Sequence, residues 1–261
     1  MNRSKKLFAL AAIALSATLF YSCSKSDNNS TSNPATAETG YCKGIVKDAQ
    51  GVPIAGAEVV ANNHYLSGSN LVTNTNANGQ YSIQLGFGTY HASAYVEKVY
   101  NGKKYRMNLH PEYTQNFSQH DAVVCNFTWK LSGDASAING RYYGSTVTLD
   151  KHLMSSVYDP ENMEFVLTPA GPLIDGSEGK TLTLKPGQPM TDDYGMLSNI
   201  PLGKYTIKGT YRENGTGPVK KVLLRDKYVS GSTMSENPTL EFQPSTLYGD
   251  NRTAFEYDVA P

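Results

Sequence analysis

The stretch that decides the fold of this chain is KDAQGVPIAGAEVVA, residues 47–61. Strand-forming residues lie on both sides of a dense turn, which Gly51 and Pro53 punctuate. The Asp48 carboxylate is suited to accepting hydrogen bonds from backbone amides of this turn, and Gly56 leads into a second apolar run. The stretch therefore predicts a turn between two short β-strands, but it identifies neither a ligand nor a reaction.

The first 22 residues have the features of a bacterial export signal. Residues 2–6 are basic, and residues 7–20 form an apolar segment that is too short for a membrane-spanning helix. Ser22-Cys23 follows directly, and a small residue before a cysteine at this place resembles the lipobox of bacterial lipoproteins. The resemblance implies that residues 1–22 are removed and that the Cys23 thiol is acylated, with palmitate among the attached chains. An ordinary secretory signal with a chance cysteine is the alternative.

Residues 23–40 are predicted to be the acylated cysteine and a disordered tether. Residues 24–40 contain no aliphatic side chain larger than alanine, so burial cannot offset the entropy of ordering them. Serine rather than aspartate after the cysteine favours the outer membrane by the usual sorting rule for lipoproteins. Lys25 and Asp27 resemble the start of some surface-export signals, and the periplasmic and cell-surface faces both stay open.

Charge and composition exclude one class of partner. The chain has 23 basic and 23 acidic side chains; residues 1–22 hold three of the basic ones, so their removal leaves 20 against 23, a net charge of −3. Nucleic acid requires clustered lysine and arginine, so we expect no nucleic-acid partner. The 18 tyrosines, 23 glycines and 13 prolines favour short strands and turns over helices.

Residues 41–131 have the pattern of an antiparallel β-sandwich. Seven or so short strand-like runs are separated by turn signals, and no span has a helical period. Asn101-Gly102 predicts a two-residue hairpin, and residues 62–70 and 108–121 are predicted to be long loops. The last run, residues 122–131, is predicted to be one strand with Val123, Cys125, Phe127, Trp129 and Leu131 on one face.

Three linked motifs in this region resemble the carboxypeptidase regulatory-like domain. Their residues, in chain order, are Gly44, Val46, Asp48, Gly51, Pro53, Ile54, Gly56, Ala57 and Val59, then Thr75, Gly79, Tyr81 and Ile83, then Gly88 and Tyr90. The resemblance implies a transthyretin-like (prealbumin-like) sandwich in which these positions build turns and core. It implies no peptidase activity, because in that family the peptidase chemistry resides in a separate zinc domain, which is absent from this sequence.

A short linker over residues 131–140 leads to a second half, residues 141–261. Two parts of the motif recur there, Thr-x-x-x-Gly at residues 191–195 and Gly-x-Tyr at residues 203–205, and Asn214-Gly215 predicts a turn. We therefore expect a second, related β-sandwich, with an irregular extension of the first as the alternative. The predicted class is all-β, with two antiparallel β-sandwich domains of transthyretin-like or immunoglobulin-like Greek-key type.

Cys42 and Cys125 are the cysteines that remain once Cys23 is acylated. Each shares a strand face with core residues, so both are predicted to point into the same core. In an oxidising envelope, a disulfide between these first and last strands would close nearly the whole domain and stabilise it by about 4 kcal/mol. Two buried free thiols are the alternative, because pairing requires a Cα separation that the sequence does not show.

The histidines do not have the spacing of a metal site. They are His64, His91, His110, His120 and His152. His110 and His120 share one loop and could meet, but solvated loop histidines are favoured over a zinc site. We therefore predict no metal and no cofactor.

Acidic residues cluster at residues 159–164 and at Asp192-Asp193. Paired carboxylates could hold calcium or hydrolyse glycosides. No calcium-loop motif is present and nothing identifies an acid/base pair, so solvated loop charges are favoured and no catalytic residue is predicted.

Aromatic side chains are the one indication of a binding surface, because exposed rings can stack on sugars or be buried at protein contacts. Tyr65 and Tyr113 are the candidates singled out. The other tyrosines predicted in or near loops and hairpin tips are Tyr100, Tyr105, Tyr142, Tyr143 and Tyr158. The alternative is that a sandwich with 18 tyrosines exposes some of them without any binding role.

These patterns predict a non-catalytic, lipid-anchored protein of the cell envelope that binds a glycan or a protein. A structural spacer or an assembly subunit of a surface complex, which pairs through exposed strand edges, is the second hypothesis. An enzyme with an unrecognised site is the third, and no catalytic constellation supports it. The predicted partners are the membrane, through lipid on Cys23, and a glycan or envelope protein; the predicted location is the outer membrane.

Overall fold

The computed structural model describes residues 35–245 and 251–260 of the chain. The described residues form β-strands and loops, with three 3₁₀ turns of three residues each, which confirms the all-β class. Within this part of the chain, no helix is long and apolar enough to cross a membrane. The predicted export signal, Cys23 and residues 24–34 of the predicted tether lie outside the described residues.

Ten strands make up the first half. They are β1 (Tyr41–Asp48), β2 (Glu58–Asn63), β3 (Leu71–Asn74), β4 (Gln80–Gln84), β5 (Thr89–Tyr100), β6 (Lys103–Asn108), β7 (His110–Pro111), β8 (Phe117–Ser118), β9 (Val123–Val124) and β10 (Phe127–Trp129). One sheet has the order β4-β1-β10-β7, with β9 also paired to β1. The other has the order β3-β2-β5-β6, with β8 paired to β5.

The first half is not purely antiparallel. β1 pairs antiparallel with β4 but parallel with both β9 and β10. A parallel pair requires a long connection, and here the chain passes through the strands of the other sheet before it returns to β1. The first and last strands therefore lie side by side, as expected, but they run in the same direction.

The two sheets of the first half bury alternate side chains in a shared core. In β5, Tyr90, Ala92, Ala94 and Val96 are buried, whereas the residues between them are half-buried or exposed. The buried residues of β4 and β10 belong to the same apolar cluster. Alternation with a period of two residues explains why these strands have one apolar face.

The opening turn has the predicted hydrogen bonds. The Asp48 carboxylate accepts from the backbone amides of Gln50 at 2.9 Å and Val52 at 2.8 Å. Gly79 lies beside this turn with a φ of +69°, and a Cβ there would come within 2.5 Å of the Val46 carbonyl oxygen. Both the left-handed backbone and the close approach require glycine at this position.

The described residues of the second half form eight strands. They are β11 (Ser145–Lys151), β12 (Met163–Pro169), β13 (Leu182–Leu184), β14 (Met196–Ile200), β15 (Tyr205–Tyr211), β16 (Lys220–Asp226), β17 (Thr239–Leu240) and β18 (Arg252–Val259). They form one hydrogen-bonded sheet with the order β13-β12-β15-β16-β18-β11-β14, and β17 pairs with β15.

The second half repeats the strand pairing of the first. β11 pairs antiparallel with β14 and parallel with β18, as β1 does with β4 and β10. β12 pairs with β13 and β15, as β2 does with β3 and β5. The difference lies in β16, which pairs with both β15 and β18. These pairings join the strands of the second half into one sheet, whereas the corresponding strands of the first half form two sheets.

The recurring sequence motifs occupy equivalent places in the two halves. Gly79 and Gly195 both have a positive φ and precede β4 and β14, respectively. Tyr90 and Tyr205 are both buried near the start of β5 and β15, and each hydroxyl donates to a carbonyl three or four residues upstream. The glycine and tyrosine of the partial motif in the second half therefore occupy the same places relative to the strands as their counterparts in the first half.

Three details differ from the predictions. Residues 122–131 form two short strands, β9 and β10, because the chain breaks at Cys125-Asn126. Residues 108–121 contain β7 and β8 as well as the buried side chains of Leu109 and Phe117, so this segment is not simply a polar loop. At the end of the predicted tether, Glu38 pairs with Lys43 and the Gly40 carbonyl accepts from the Leu85 amide, so these residues already contact the first half.

Candidate functional site

The linker between the halves folds into a compact turn. The Tyr143 amide donates to the Gly133 carbonyl at 3.0 Å, and the Ala135 amide donates to the Arg141 carbonyl at 3.2 Å, so the two ends of the turn are held together. Asn139 takes a left-handed conformation with a φ of +56°, which asparagine tolerates better than most residues. The turn places consecutive polar and aromatic residues, 139–143, along one wall of a cavity.

The cavity has a volume of about 470 Å³ and lies between this linker and strands of the second half. Its lining combines aromatic rings, two arginines, one carboxylate and several amides and hydroxyls. The lining residues are Asn108, Ile138, Asn139, Gly140, Arg141, Tyr142, Tyr143, Gly144, Thr146, Asp193, Met196, Ser198 and Arg252.

Asp193 organises the polar side of the cavity. Its Oδ1 accepts from the Ser198 hydroxyl at 2.7 Å and pairs with Arg141 Nη2 at 2.7 Å. Its Oδ2 lies 3.5 Å from the Tyr142 hydroxyl, which donates to it. Arg141 also donates to the Asp192 carbonyl at 3.0 Å, and its guanidinium lies 5.9 Å from the Tyr142 ring centroid. These contacts fix the Arg141 and Tyr142 side chains before any ligand binds.

Tyr143 is fixed by a histidine of the first half. Burial raises the pKa of Tyr143 to about 12, and the Asp134 carboxylate adds to the effect. Burial, with the Lys130 charge next, lowers the pKa of His110. At neutral pH the tyrosine is therefore protonated and the imidazole neutral, and the Tyr143 hydroxyl and His110 Nδ1 form a hydrogen bond of 2.9 Å whose donor depends on the imidazole tautomer.

Aromatic rings, paired charges and polar groups line this cavity. Its lining offers one carboxylate, which is already paired with arginine, whereas glycoside hydrolysis requires two carboxyl groups. Cysteine and lysine are absent from the lining. Aromatic faces combined with fixed donors and acceptors are what a polyhydroxylated ligand can use.

Only part of this site could be found in the sequence. Tyr142 and Tyr143 are among the predicted binding aromatics, and Asp193 belongs to a predicted acidic cluster, but its favoured interpretation as a solvated loop charge is wrong because it pairs with Arg141 and Ser198. Arg141 and Arg252 are not among the predicted candidates. The cluster Arg141-Tyr142-Tyr143 between two glycines of the linker was a usable local signal. No local signal connects it to Asp193 and Arg252, which come from distant parts of the chain.

The structure places the candidate aromatics apart. Tyr65 is 74% exposed, whereas Tyr113 is partly buried and packs against Phe117 with ring centroids 6.2 Å apart. The prediction that Tyr105 lies at a loop or hairpin surface is wrong, because its side chain is buried and its hydroxyl donates to the Phe242 carbonyl of the second half. Tyr158 is exposed outside the cavity.

Cys42 and Cys125 are buried free thiols whose side chains lie close together in the core. The neighbouring Cys125 thiol lowers the pKa of Cys42, and the same contact raises the pKa of Cys125. Tyr81 completes the group, because its hydroxyl donates to the Cys125 carbonyl. The core therefore brings the two sulfurs together, and their oxidation to a disulfide stays a prediction.

The histidines are arranged differently from the expectation. His110 contacts Tyr143, and His120 lies next to the Gln119 amide, so the two do not contact each other. Instead, His64 and His91 lie together with ring nitrogens 3.1 Å apart. In the described part of the chain, no three His, Cys, Asp or Glu residues cluster in a way that could hold a metal ion.

The first acidic cluster has a structural role at Asp159. Its carboxylate accepts from the Tyr211 hydroxyl, from Asn162 Nδ2 at 2.7 Å and from the Asn214 amide at 2.7 Å. Burial acts to raise the pKa of Asp159, but these hydrogen bonds outweigh it and hold the pKa below its usual value. Asp159 therefore ties two 3₁₀ turns to β15 and is not a solvated loop charge.

Comparison with known protein families gives a match to part of the first half. Residues 42–117 match the carboxypeptidase regulatory-like domain. This confirms the resemblance for that part of the chain. No curated protein matches the chain in sequence.

Solved structures resemble the chain only distantly. The Bacillus anthracis TIE protein is 14% identical with a TM-score of 0.28; the match covers 84% of this chain, which spans about a third (34%) of that protein. The C-terminal fragment of the pilus adhesin SpaC from Lactobacillus rhamnosus GG is 10% identical with a TM-score of 0.26, and 85% and 98% of the two chains are covered. The major pilin from Streptococcus pyogenes is 12% identical with a TM-score of 0.23, with 87% and 98% covered. TM-scores this low establish neither a shared fold nor a shared role.

Proposed function

We propose that this chain is a non-catalytic structural subunit of the bacterial cell envelope whose two β-rich halves act as one rigid body. Lipid on Cys23 would hold it at the outer membrane. The observation that carries the proposal is the junction, by which we mean the polar contacts between residues 35–131 and residues 132–260. The match of residues 42–117 to a carboxypeptidase regulatory-like domain supports the non-catalytic part of the proposal.

The β5–β6 hairpin forms the first part of the junction. The Tyr100 hydroxyl donates to the Pro172 carbonyl at 2.9 Å and accepts from the Lys204 amide at 3.0 Å. The buried Tyr105 hydroxyl donates to the Phe242 carbonyl at 2.9 Å. Hydrogen bonds between side chains and backbone groups fix both distance and orientation, so this hairpin has one position on the second half.

Charged groups reinforce the hairpin contact. Glu241 of the second half pairs with Lys103 of the hairpin at 3.7 Å and, within the second half, with Lys204 at 2.8 Å. The hydrogen bond from Lys204 lowers the pKa of Glu241. All three side chains are about one-third exposed, so each pair by itself contributes little, and the tyrosine hydrogen bonds carry most of the coupling.

The linker forms the second part of the junction. The Tyr143 side chain of the linker hydrogen bonds to His110 of the first half at 2.9 Å, and the Asn199 side chain, which accepts from the Gly133 amide at 2.7 Å, holds the linker on the second half. Domains in one chain move relative to each other unless their interface is large or well bonded. Two separate sets of contacts, together with one connected apolar core across both halves, favour a rigid spacer or assembly subunit over a pair of flexible modules.

Removal of the Tyr100 and Tyr105 hydroxyls is expected to uncouple the halves. A variant with Tyr100→Phe and Tyr105→Phe leaves the Phe242 carbonyl without its buried donor, and each lost hydrogen bond should cost about 1–2 kcal/mol. The wild-type chain should unfold in one calorimetric transition, whereas the double variant should show two. Small-angle X-ray scattering should also show a broader distribution of dimensions for the variant.

Tyr65→Phe provides the matched control for this experiment, because Tyr65 is exposed and lies outside the junction. It should unfold like the wild type. Two separate transitions in the wild type, or a double variant that unfolds as one unit, would contradict the rigid-body proposal.

Glycan binding in the linker cavity is the second candidate function. The specific observation is that Tyr142 is 39% exposed beside a fixed Arg141–Asp193 pair, which offers a ring face and oriented polar groups together. Tyr142→Ala should abolish binding on a glycan array probed with the full chain, since stacking on an aromatic ring supplies much of the affinity for sugars. Tyr158→Ala, which removes an exposed tyrosine outside the cavity, should leave binding unchanged. Absence of any glycan bound by the wild type would reject this candidate and leave the structural one intact.

A further inference from the structure

Three polar side chains converge at the loop end of the first half, where β2 stops and β5 starts. The His64 amide donates to the Thr89 carbonyl at 2.9 Å, which continues the β2–β5 pairing by one residue. His91 lies two residues beyond Thr89, so His64 and His91 are diagonal neighbours on the same, outward face of the sheet. Their ring centroids are 4.8 Å apart.

The contacts meet at one nitrogen atom. His64 Nε2 lies 3.1 Å from His91 Nδ1 and 3.1 Å from Asn116 Oδ1. A ring nitrogen either carries one proton or offers one lone pair, so His64 Nε2 can make only one of these two contacts as a full hydrogen bond. A cation that accepts a lone pair from each of the three atoms would use both contacts at once.

The distances match those in a metal coordination sphere. Two nitrogen ligands at about 2.0–2.1 Å from one ion are separated by about 2.9–3.4 Å when the angle at the ion lies between about 90° and 109°. The separation of 3.1 Å between His64 Nε2 and His91 Nδ1 lies within this range. The Asn116 amide oxygen, at the same distance from His64 Nε2, is placed to be a third ligand.

We propose that His64, His91 and Asn116 form a binding site for a divalent transition-metal ion such as Cu²⁺, Ni²⁺ or Zn²⁺. Imidazole nitrogen suits these ions, whereas Ca²⁺ and Mg²⁺ require sets of oxygen ligands that this group does not offer. All three side chains are exposed, so the ion has free access and water completes its coordination.

Titration of the full, untagged chain with CuCl₂, NiCl₂ and ZnCl₂ tests the site. Every protein in the series should carry Cys23→Ser, because an unacylated thiol at this position would compete for the ions. Calorimetry should show one binding site, and Cu²⁺ or Ni²⁺ should broaden the ring NMR signals of His64 and His91 selectively. His64→Gln and His91→Gln should each weaken binding by at least roughly tenfold, since even an outer partner of a metal ligand is worth that much.

Two further variants of the same chain test the site, one as a control and one that should bind the metal more tightly. His120→Gln removes an exposed histidine outside the site and should leave the affinity unchanged. Asn116→Asp replaces an amide oxygen with a carboxylate and should tighten binding. The proposal is overturned if the wild type binds none of the three ions as one equivalent, or if the double variant with His64→Gln and His91→Gln binds equally well. Circular dichroism establishes that each variant is folded before it is titrated.

Discussion

Gly44→Ala is expected to unfold the first half under conditions in which the wild-type chain is stable. An ideal Cβ at residue 44 would lie 2.1 Å from the Cys125 carbonyl oxygen and 2.8 Å from the Tyr81 ring. Gly44 is directly opposite Tyr81 in the β1–β4 pair, and the Cys125 amide donates to the Lys43 carbonyl on the other side of β1. Strands on both sides of β1 would therefore have to move.

The size of this effect follows from what the methyl group displaces. Overpacking of a well-packed core usually costs about 1–3 kcal/mol. Here the displaced atoms include backbone, which cannot rotate away, and the hydrogen bond from the Tyr81 hydroxyl to the Cys125 carbonyl would be lost as well. We expect a loss of about 3 kcal/mol or more in the free energy of unfolding, measured by urea denaturation followed by circular dichroism.

Gly86→Ala is the matched control for Gly44→Ala. A Cβ at residue 86 would meet only the Tyr90 hydroxyl, at 3.7 Å, and Gly86 has no positive φ. The same chemical change should therefore alter stability by less than about 1 kcal/mol. Equal effects of the two substitutions would show that the close approach of β1 to Cys125 and Tyr81 is not what requires glycine at residue 44.

Phe255→Ala is expected to have the second large effect. Phe255 is completely buried in β18, which lies between β11 and β16 in the middle of the sheet of the second half. Truncation of a buried phenylalanine removes its apolar burial and leaves a cavity, which together cost about 3–5 kcal/mol. The midpoint of urea unfolding should fall accordingly, whereas Val229→Ala, at an exposed position, should shift it little.

Phe255→Ala also reports on the coupling between the halves. If the junction makes the halves one cooperative unit, the substitution should shift the entire unfolding transition, including tryptophan fluorescence from Trp129 in the first half. A variant in which Trp129 fluorescence keeps its wild-type midpoint while the rest of the signal shifts would show that the halves unfold independently.

The turns of the first half could be predicted from the sequence because they depend on local residues. Asp48 accepts the predicted amide hydrogen bonds, and Gly79 has the positive φ that its turn requires, because these features depend on residues a few positions apart. The break of the last strand at Cys125-Asn126 was not readable. It depends on where β1 pairs first with β9 and then with β10, which is a long-range contact.

The second half shows where a repeated motif stops being informative. The Gly-x-Tyr motif correctly marked the start of β15, since its tyrosine hydroxyl bonds to a carbonyl only four residues away. It carried no information on β16, whose pairing with both neighbours joins the strands into one sheet. Whether β16 pairs with both β15 and β18 depends on contacts between residues that are far apart in the chain.

The sequence by itself determined the all-β class, because local turn hydrogen bonds and the two-residue alternation of side chains impose it. Its motifs also carried the resemblance to the carboxypeptidase regulatory-like domain, which residues 42–117 match. Only the tertiary structure decided the junction, the linker cavity and the meeting of His64 with His91. Tyr105 and its carbonyl partner are 137 residues apart, and the two histidines are 27 apart. Such contacts depend on which strands lie side by side, and no spacing along the chain encodes that arrangement.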